Sequence, residues 1–437
     1  MKRAIPRDFR RPFESSRKRR VWAVSIVCGF FTLAFAAYAA SGWTTPVALS
    51  KPIPPTFYVT SPVVAVNSAG AQAAAWVNED NYLLLQVAAQ DAGGSWTKAQ
   101  TLTPPSGVNA ADPSVAIGPA GNAVAIWNTS SSQGLVIQAS TRQAHGTWSA
   151  AATITSPALS STLPRVAMDG NGNAVGVWVQ GPSAGSEIVA ADLPASGSWT
   201  TPVALSASGT GTTNPTLAVN TLGDAIVGWQ TSNGQILTAE RKAGIWSAPI
   251  TIAGAAFRQN SPHVALNNRG DAAIAWTGRG TALVATRAAG GMWSAPLTIS
   301  KQSLGTSARV ALDDSGNAVM IFQLVQYSGN GYIYPVEGVA RPSGGSWGTP
   351  SAISGNDYAS SPNLVATPAG SFVAAWVDDN TYTMRAAIRP AGQGVFGTLA
   401  VLGSATPDAF LAAAAGHTAA TWIGAGPAVQ VSDASTP

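Results

Sequence analysis

Eight times along this chain a short apolar run meets a turn of Gly, Asn, Asp or Pro, then a second apolar run that ends on an aromatic ring. Aligned on the turn glycine, the copies read SPVVAVNSAGAQAAAW, DPSVAIGPAGNAVAIW, LPRVAMDGNGNAVGVW, NPTLAVNTLGDAIVGW, SPHVALNNRGDAAIAW, SARVALDDSGNAVMIF, SPNLVATPAGSFVAAW and PDAFLAAAAGHTAATW. Runs this short, rich in Val, Ile and Ala and bounded by turn residues, predict strands. Successive positions are apolar rather than alternating, so both faces of each strand are expected to be buried.

After each ring comes a variable stretch and a third apolar run, as in LLLQVAAQ, GLVIQAST and GQILTAER. A Gly-rich turn then delivers a second Trp and a fourth run, as in GSWTKAQTL and GIWSAPITI. Two interleaved aromatic series result. One is Trp76, Trp127, Trp178, Trp229, Trp276, Phe322, Trp376 and Trp422, each six residues after its glycine; the other is Trp43, Trp96, Trp148, Trp199, Trp246, Trp293, Trp347 and Phe396. A unit of four strands repeated at roughly 46 to 54 residues predicts an all-β, eight-bladed β-propeller. The run at Trp43 is a fourth strand with no unit before it, and AVQVSDAST near the end is a third strand with none after it. One blade is therefore expected to form from both terminal segments, residues 42–50 completing residues 407–432, which leaves no open sheet edge. The organisation expected is a basic segment (1–20), an apolar helix (21–40) and the propeller (41–437).

Charge changes the picture only at the front. The sequence pI is about 9.3, yet residues 1–20 hold nine Lys or Arg against Asp8 and Glu14, a net +7 in a chain of net +4, so the remainder carries −3. A nucleic-acid partner for the repeats is thereby disfavoured. Residues Val21–Ala40 contain no charge and are long enough to span a bilayer, with Arg17, Lys18, Arg19 and Arg20 holding the N-terminus inside. A cleaved signal peptide, with Ala37 and Ala39 in an A-x-A pattern, is the equal alternative. Either reading places the repeats outside the cytoplasm, anchored through residues 21–40 if they are uncleaved. Cys28, the one cysteine, lies in that segment, so the repeats must hold together without disulfides.

The stretch Ala89-Gln90-Asp91-Ala92-Gly93-Gly94-Ser95-Trp96 resembles the Asp-box of sialidase-type (BNR) propellers, S-x-D-x-G-x-T-W. Other copies keep the Trp but carry Gln143, Pro194, Arg241, Ala288 or Pro342 where the Asp stands. Asp-boxes are structural in that family, so the resemblance implies fold, with a divergent sialidase-like hydrolase as one expectation for activity. Eight blades with outer Trp residues also resemble quinoprotein propellers in architecture. The cysteine pair of their enzymes is missing from the repeats, so no cofactor is expected.

Candidate chemistry is sparse. Seven residues before the glycines stand Val63, Ser114, Arg165, Thr216, His263, Arg309, Asn363 and Ala409, and these are expected at the entry to each innermost strand. Varied polar residues at one fixed position of an apolar repeat fit a ligand-lined mouth, with Arg165, His263, Arg309 and Asn363 as candidates. Seven tyrosines, Tyr58, Tyr82, Tyr327, Tyr332, Tyr334, Tyr358 and Tyr382, lie before first strands or after second strands, which places them on one face. Tyr with few charges suits a neutral polysaccharide or a protein ligand. Glu79, Asp80, Asp378 and Asp379 could supply paired carboxylates but are expected as loop solubility. Asp169 and Asp313 sit in Asn/Asp/Gly turns, where turn chemistry is expected in place of a metal site. The reading is a monomeric, exported binding module without a catalytic set, with the hydrolase or a structural envelope role as alternatives.

Overall fold

The computed structural model describes residues 42–436 apart from 52–57, 81, 104–107, 256–259, 301–303, 328, 330, 356–357, 407–408 and 425–427. The basic segment and the apolar helix expected over residues 1–40 lie outside the described residues. Among the described residues, no helix is long and apolar enough to cross a membrane.

Eight antiparallel four-stranded blades follow one another in chain order. Blade one is Val59–Val66, Gln72–Asp80, Tyr82–Gln90 and Gln100–Thr101. Blade six is Leu304–Leu312, Ala318–Leu324, Val336–Arg341 and Ser351–Ala352. The first strand of every blade packs against the first strands of both neighbours, and blade eight closes on blade one, so eight inner strands ring a central axis. Blade eight takes Ala409–Ala414, His417–Gly424 and Ala428–Ser435 from the end of the chain and Val47–Ala48 from its beginning, in the register Val47↔Val431 and Ala48↔Gln430. Thr44 N–H donates to the Asp433 carbonyl at 2.8 Å, and Leu49 N–H to that of Val429 at 2.8 Å. The expected closure by the terminal segments is what the structure has.

The two aromatic series divide the packing. Every ring of the first series is fully buried between blades: Trp229, for example, sits among Val175, Val177, Ile188 and Leu205 of blade three and Val227 and Ala239 of its own blade. The second series caps the outer edge and is half-buried in most blades, with Trp43 and Trp148 buried. The glycine six residues before each first-series ring has φ between +76° and +100°, which a residue with a Cβ adopts poorly, so the hairpin joining first and second strands requires it. Asp169 and Asp313 cap their own turns, Asp169 Oδ1 accepting from Asn171 N and Asn173 N and Asp313 Oδ1 from Asn317 N. Asn267 does the same and also donates from Nδ2 to the Asp313 carbonyl of the next blade at 2.8 Å.

Two expectations need correction. The fourth strands are shorter than the sequence reads, with two paired residues in most blades. Blades one and two, which lack a proline three residues after the second Trp, have fourth strands as short as blades three, five and six, which carry Pro202, Pro296 and Pro350 there, so proline is not what limits the pairing. The first strands also begin earlier than expected, at Val59, Ala110, Ser161, Thr213, Asn260, Leu304 and Ala359, so the candidate entry residues lie inside them. A bulge precedes the candidate position in these blades, between Thr162 and Arg165 in blade three and between Asn260 and His263 in blade five. In six blades the bulge holds a non-glycine residue with φ of 50° to 53° or 48° (Ser61, Asp112, Leu163, Asn214, Ser261, Ser361), each followed by proline. The X-Pro dipeptide, polar at X in five of the six blades, is the sequence signal for the bulge.

Candidate functional site

Bulges re-aim side chains, and here they set one side chain per blade between neighbouring inner strands. Ser114 Oγ accepts from Val166 N–H of the next blade at 3.0 Å, and Thr216 Oγ1 from Val264 N–H at 3.0 Å. His263 Nδ1 stands 3.5 Å from Val310 N, a long contact. Asn363 Nδ2 donates to the Ala409 carbonyl at 3.0 Å and to Ser361 O at 3.0 Å. The small polar residues at this position therefore staple blade to blade around the axis.

Arg165 and Arg309 differ. Each donates from Nη1 to the carbonyl just before it, Pro164 at 2.8 Å and Ala308 at 3.1 Å, and no carboxylate forms an ion pair with either among the described residues. Burial within the ring depresses the pKa of Arg309 to about 10, with Arg165 adding repulsion. Burial also lowers that of Arg165, against the attraction of Asp112. His263 is pushed down to about 3, first by burial and then by the Arg309 charge, so it is neutral at physiological pH. All three remain partly exposed by surface area although protein surrounds them.

At the end of the ring where first strands begin, Arg309 and Asn363 join Ser307, Gln323, Ser360, Ser361, Ala409 and Phe410 around a depression of about 440 Å³ between blades six, seven and eight. Gln323 Nε2 donates to the Ala359 carbonyl across blades six and seven. Beside it, the long link after Phe322 folds into a small hairpin of its own, Gln326–Tyr327 against Tyr332–Ile333. Tyr327 and Tyr332 meet edge to face at 5.6 Å, and Tyr334 meets Tyr358 of blade seven the same way at 5.7 Å. A bridge between Tyr334 and Tyr358 ties that link to the lead-in of blade seven. Tyr58, Tyr82, Tyr327, Tyr332 and Tyr382 are exposed and Tyr334 and Tyr358 half-buried. All seven stand on this end of the ring, before first strands, between second and third strands or, for Tyr82, at the start of a third strand, and four of them form two ring pairs.

Two of the four candidate carboxylates, Asp378 and Asp379, are engaged elsewhere. Asp378 pairs with Arg385 at 2.6 Å and accepts from Thr381 Oγ1 at 2.6 Å, and Asp379 accepts from Ser360 Oγ at 2.8 Å. Asp91, in the Asp-box-like stretch, takes both Nη atoms of the buried Arg142 in blade two at 3.1 and 3.0 Å. That bond holds its carboxyl below the usual range. Its role is to join blades, and Asp192–Arg241 and Glu240–Arg287 repeat the device between blades three and four and blades four and five. Burial raises the Glu337 carboxyl. Among the described residues no group of three or more His, Cys, Asp or Glu is placed to hold a metal.

No protein-family model matches the chain, and no curated protein matches it in sequence. Similar solved structures do exist. The BP39L lectin from Burkholderia pseudomallei superposes with a TM-score of 0.55 at 14% identity, over 79% of this chain and 99% of the lectin. The polysaccharide lyase Uly1 superposes with a TM-score of 0.50 at 10% identity, over 86% of this chain and 89% of the lyase. At such identities these likenesses bear on fold alone: the chain is an all-β propeller of eight four-stranded blades closed by its two terminal segments.

Proposed function

We propose that this propeller is an exported, non-catalytic binding module that presents its tyrosine-rich end to a neutral glycan. The observation that carries the reading is the two tyrosine pairs, Tyr327 with Tyr332 and Tyr334 with Tyr358, at the same end of the ring as the depression lined by Gln323, Asn363 and Phe410. Rigid aromatic faces next to amide and hydroxyl groups, with few charges, match the alternation of C–H faces and hydroxyls on a sugar ring. Export rests on the sequence, where a basic cluster precedes the uncharged Val21–Ala40. A lectin and a polysaccharide lyase of similar fold are in keeping with a carbohydrate ligand. A protein ligand would use the same face.

A glycan array probed with the propeller, followed by the variant in which Tyr327, Tyr332 and Tyr334 are all Ser, tests this. These rings are at the rim, so the variant should fold normally and lose at least tenfold in affinity for the best glycan. Equal affinity would remove the site from this face. The second reading is a divergent sialidase-like hydrolase, suggested by the Asp-box-like stretch around Asp91; release of fluorophore from aryl glycosides would favour it.

A further inference from the structure

Beneath the tyrosine pairs, the inner strands carry four charged or titratable side chains among the described residues: Asp112, Arg165, His263 and Arg309. Asp112 accepts from Asn128 Nδ2 at 3.2 Å within its own blade and forms no ion pair with either arginine. His263, as a neutral ring, cannot offset them. Two guanidiniums thus extend from inner strands at the same repeat position, in blades three and six of a ring of eight, and the charge of Arg165 bears on Arg309. Each has a single backbone carbonyl as its hydrogen-bond partner. Holding two like charges in a protein interior is expensive when neither is ion-paired and only Arg165 feels a carboxylate, the more distant Asp112. Elsewhere this protein avoids it: Arg142, Arg241, Arg287 and Arg385 each have a carboxylate at 2.6 to 3.0 Å. The fold could have placed a small staple at both positions, as it does with Ser114 and Thr216.

We propose that the centre of the ring binds a small oxyanion of the phosphate, sulfate or carboxylate class, held between Arg165 and Arg309. A guanidinium offers paired N–H donors that match two oxygens of such a group. With each Nη1 committed to the backbone, the remaining donors of both arginines serve the anion. The imidazole of His263, with Nδ1 turned to Val310 N–H, carries its proton on Nε2 and is a neutral donor in the same arc. Arg309 also borders the depression at the mouth, so an anion reaches the pair from the tyrosine-bearing end. Two sources fit this chemistry, a free inorganic anion and the acid group of an acidic sugar entering from the mouth. The site does not depend on the tyrosine reading.

The test is thermal unfolding and titration calorimetry of the full chain in neutral detergent, against sodium phosphate, sodium sulfate and glucuronate, with sodium chloride matched for ionic strength. A saturable rise in Tm beyond the chloride control is expected, since a ligand that binds only the folded state stabilises it by mass action. Saturation by phosphate or sulfate identifies a free ion, and saturation by glucuronate alone an acidic sugar. Arg165→Gln and Arg309→Gln should each abolish the saturable component, while unliganded Tm is unchanged or higher because a repulsion is removed. The triple Tyr→Ser variant should keep it, which separates this site from the glycan face. If no anion gives a saturable effect in the unsubstituted chain, or if the two Gln variants respond as it does, the proposal is wrong. The unsubstituted titration decides even where a Gln variant fails to fold.

Discussion

Deleting residues 42–50 takes away the fourth strand of blade eight, which joins the two ends of the chain, and the size of the effect follows from the packing and hydrogen bonds that this segment supplies. Trp43 is 3% exposed and packs on Leu402, Leu411, Trp422 and Ala434. Truncating such a ring to Ala costs about 3 to 5 kcal/mol. Six hydrogen bonds join Thr44, Leu49 and Ser50 to Val429, Ser432 and Asp433. Each is worth about 0.5 to 1.5 kcal/mol net. The sum, roughly 6 to 14 kcal/mol, is comparable with the whole stability of an ordinary domain. The deletion also bares the edge of Ala428–Ser435, a template for pairing with another copy. Urea unfolding followed by Trp fluorescence, with size-exclusion chromatography at several concentrations, should show a shortened chain that is unfolded or self-associated at 25 °C. Trp43→Ala alone should lower stability by about 3 to 5 kcal/mol, and Trp43→Phe by about 1 to 2, because the indole N–H has no partner to lose. A monomeric deletion variant with an unchanged unfolding midpoint would refute the closed ring.

Trp229→Ala should cost about 3 to 5 kcal/mol, and Trp229→Phe much less, since its Nε1 is also without a partner and the ring serves as volume; equal losses in urea would show that the indole itself is needed. His263 has a folded pKa of about 3 against about 6.5 unfolded, so between these values the unfolded chain binds the extra proton and acidification destabilises the fold. Stability measured by urea midpoints should fall by up to about 1.4 kcal/mol per pH unit below pH 6.5 from this residue, and His263→Gln should flatten that window; an unchanged slope would mean that the imidazole charges freely in the folded protein.

The class and closure of this fold were legible in the chain because both rest on local periodicity. A glycine that must take positive φ and a ring six residues later recur in every unit, and a lone fourth strand at Trp43 has only one place to pair. The fourth strands read too long, since an apolar run does not reveal how much of it pairs with the third strand, and two residues do so in most blades. The candidate site was half legible. Alternation of loops and strands assigned the seven tyrosines to one end of the ring, but only the tertiary structure paired Tyr334 of blade six with Tyr358 of blade seven. Arg165, His263, Arg309 and Asn363 could be picked out as polar exceptions at one repeat position, yet their meaning depended on neighbours more than forty residues away. Asn363 reaches the next blade's carbonyl and becomes a staple, while Arg165 and Arg309 bond only to the carbonyls just before them and form no ion pair among the described residues. Local patterns decide which strands form because backbone hydrogen bonding and turn geometry are short-range, whereas the partner of a charge is set by ring closure, which no single repeat contains.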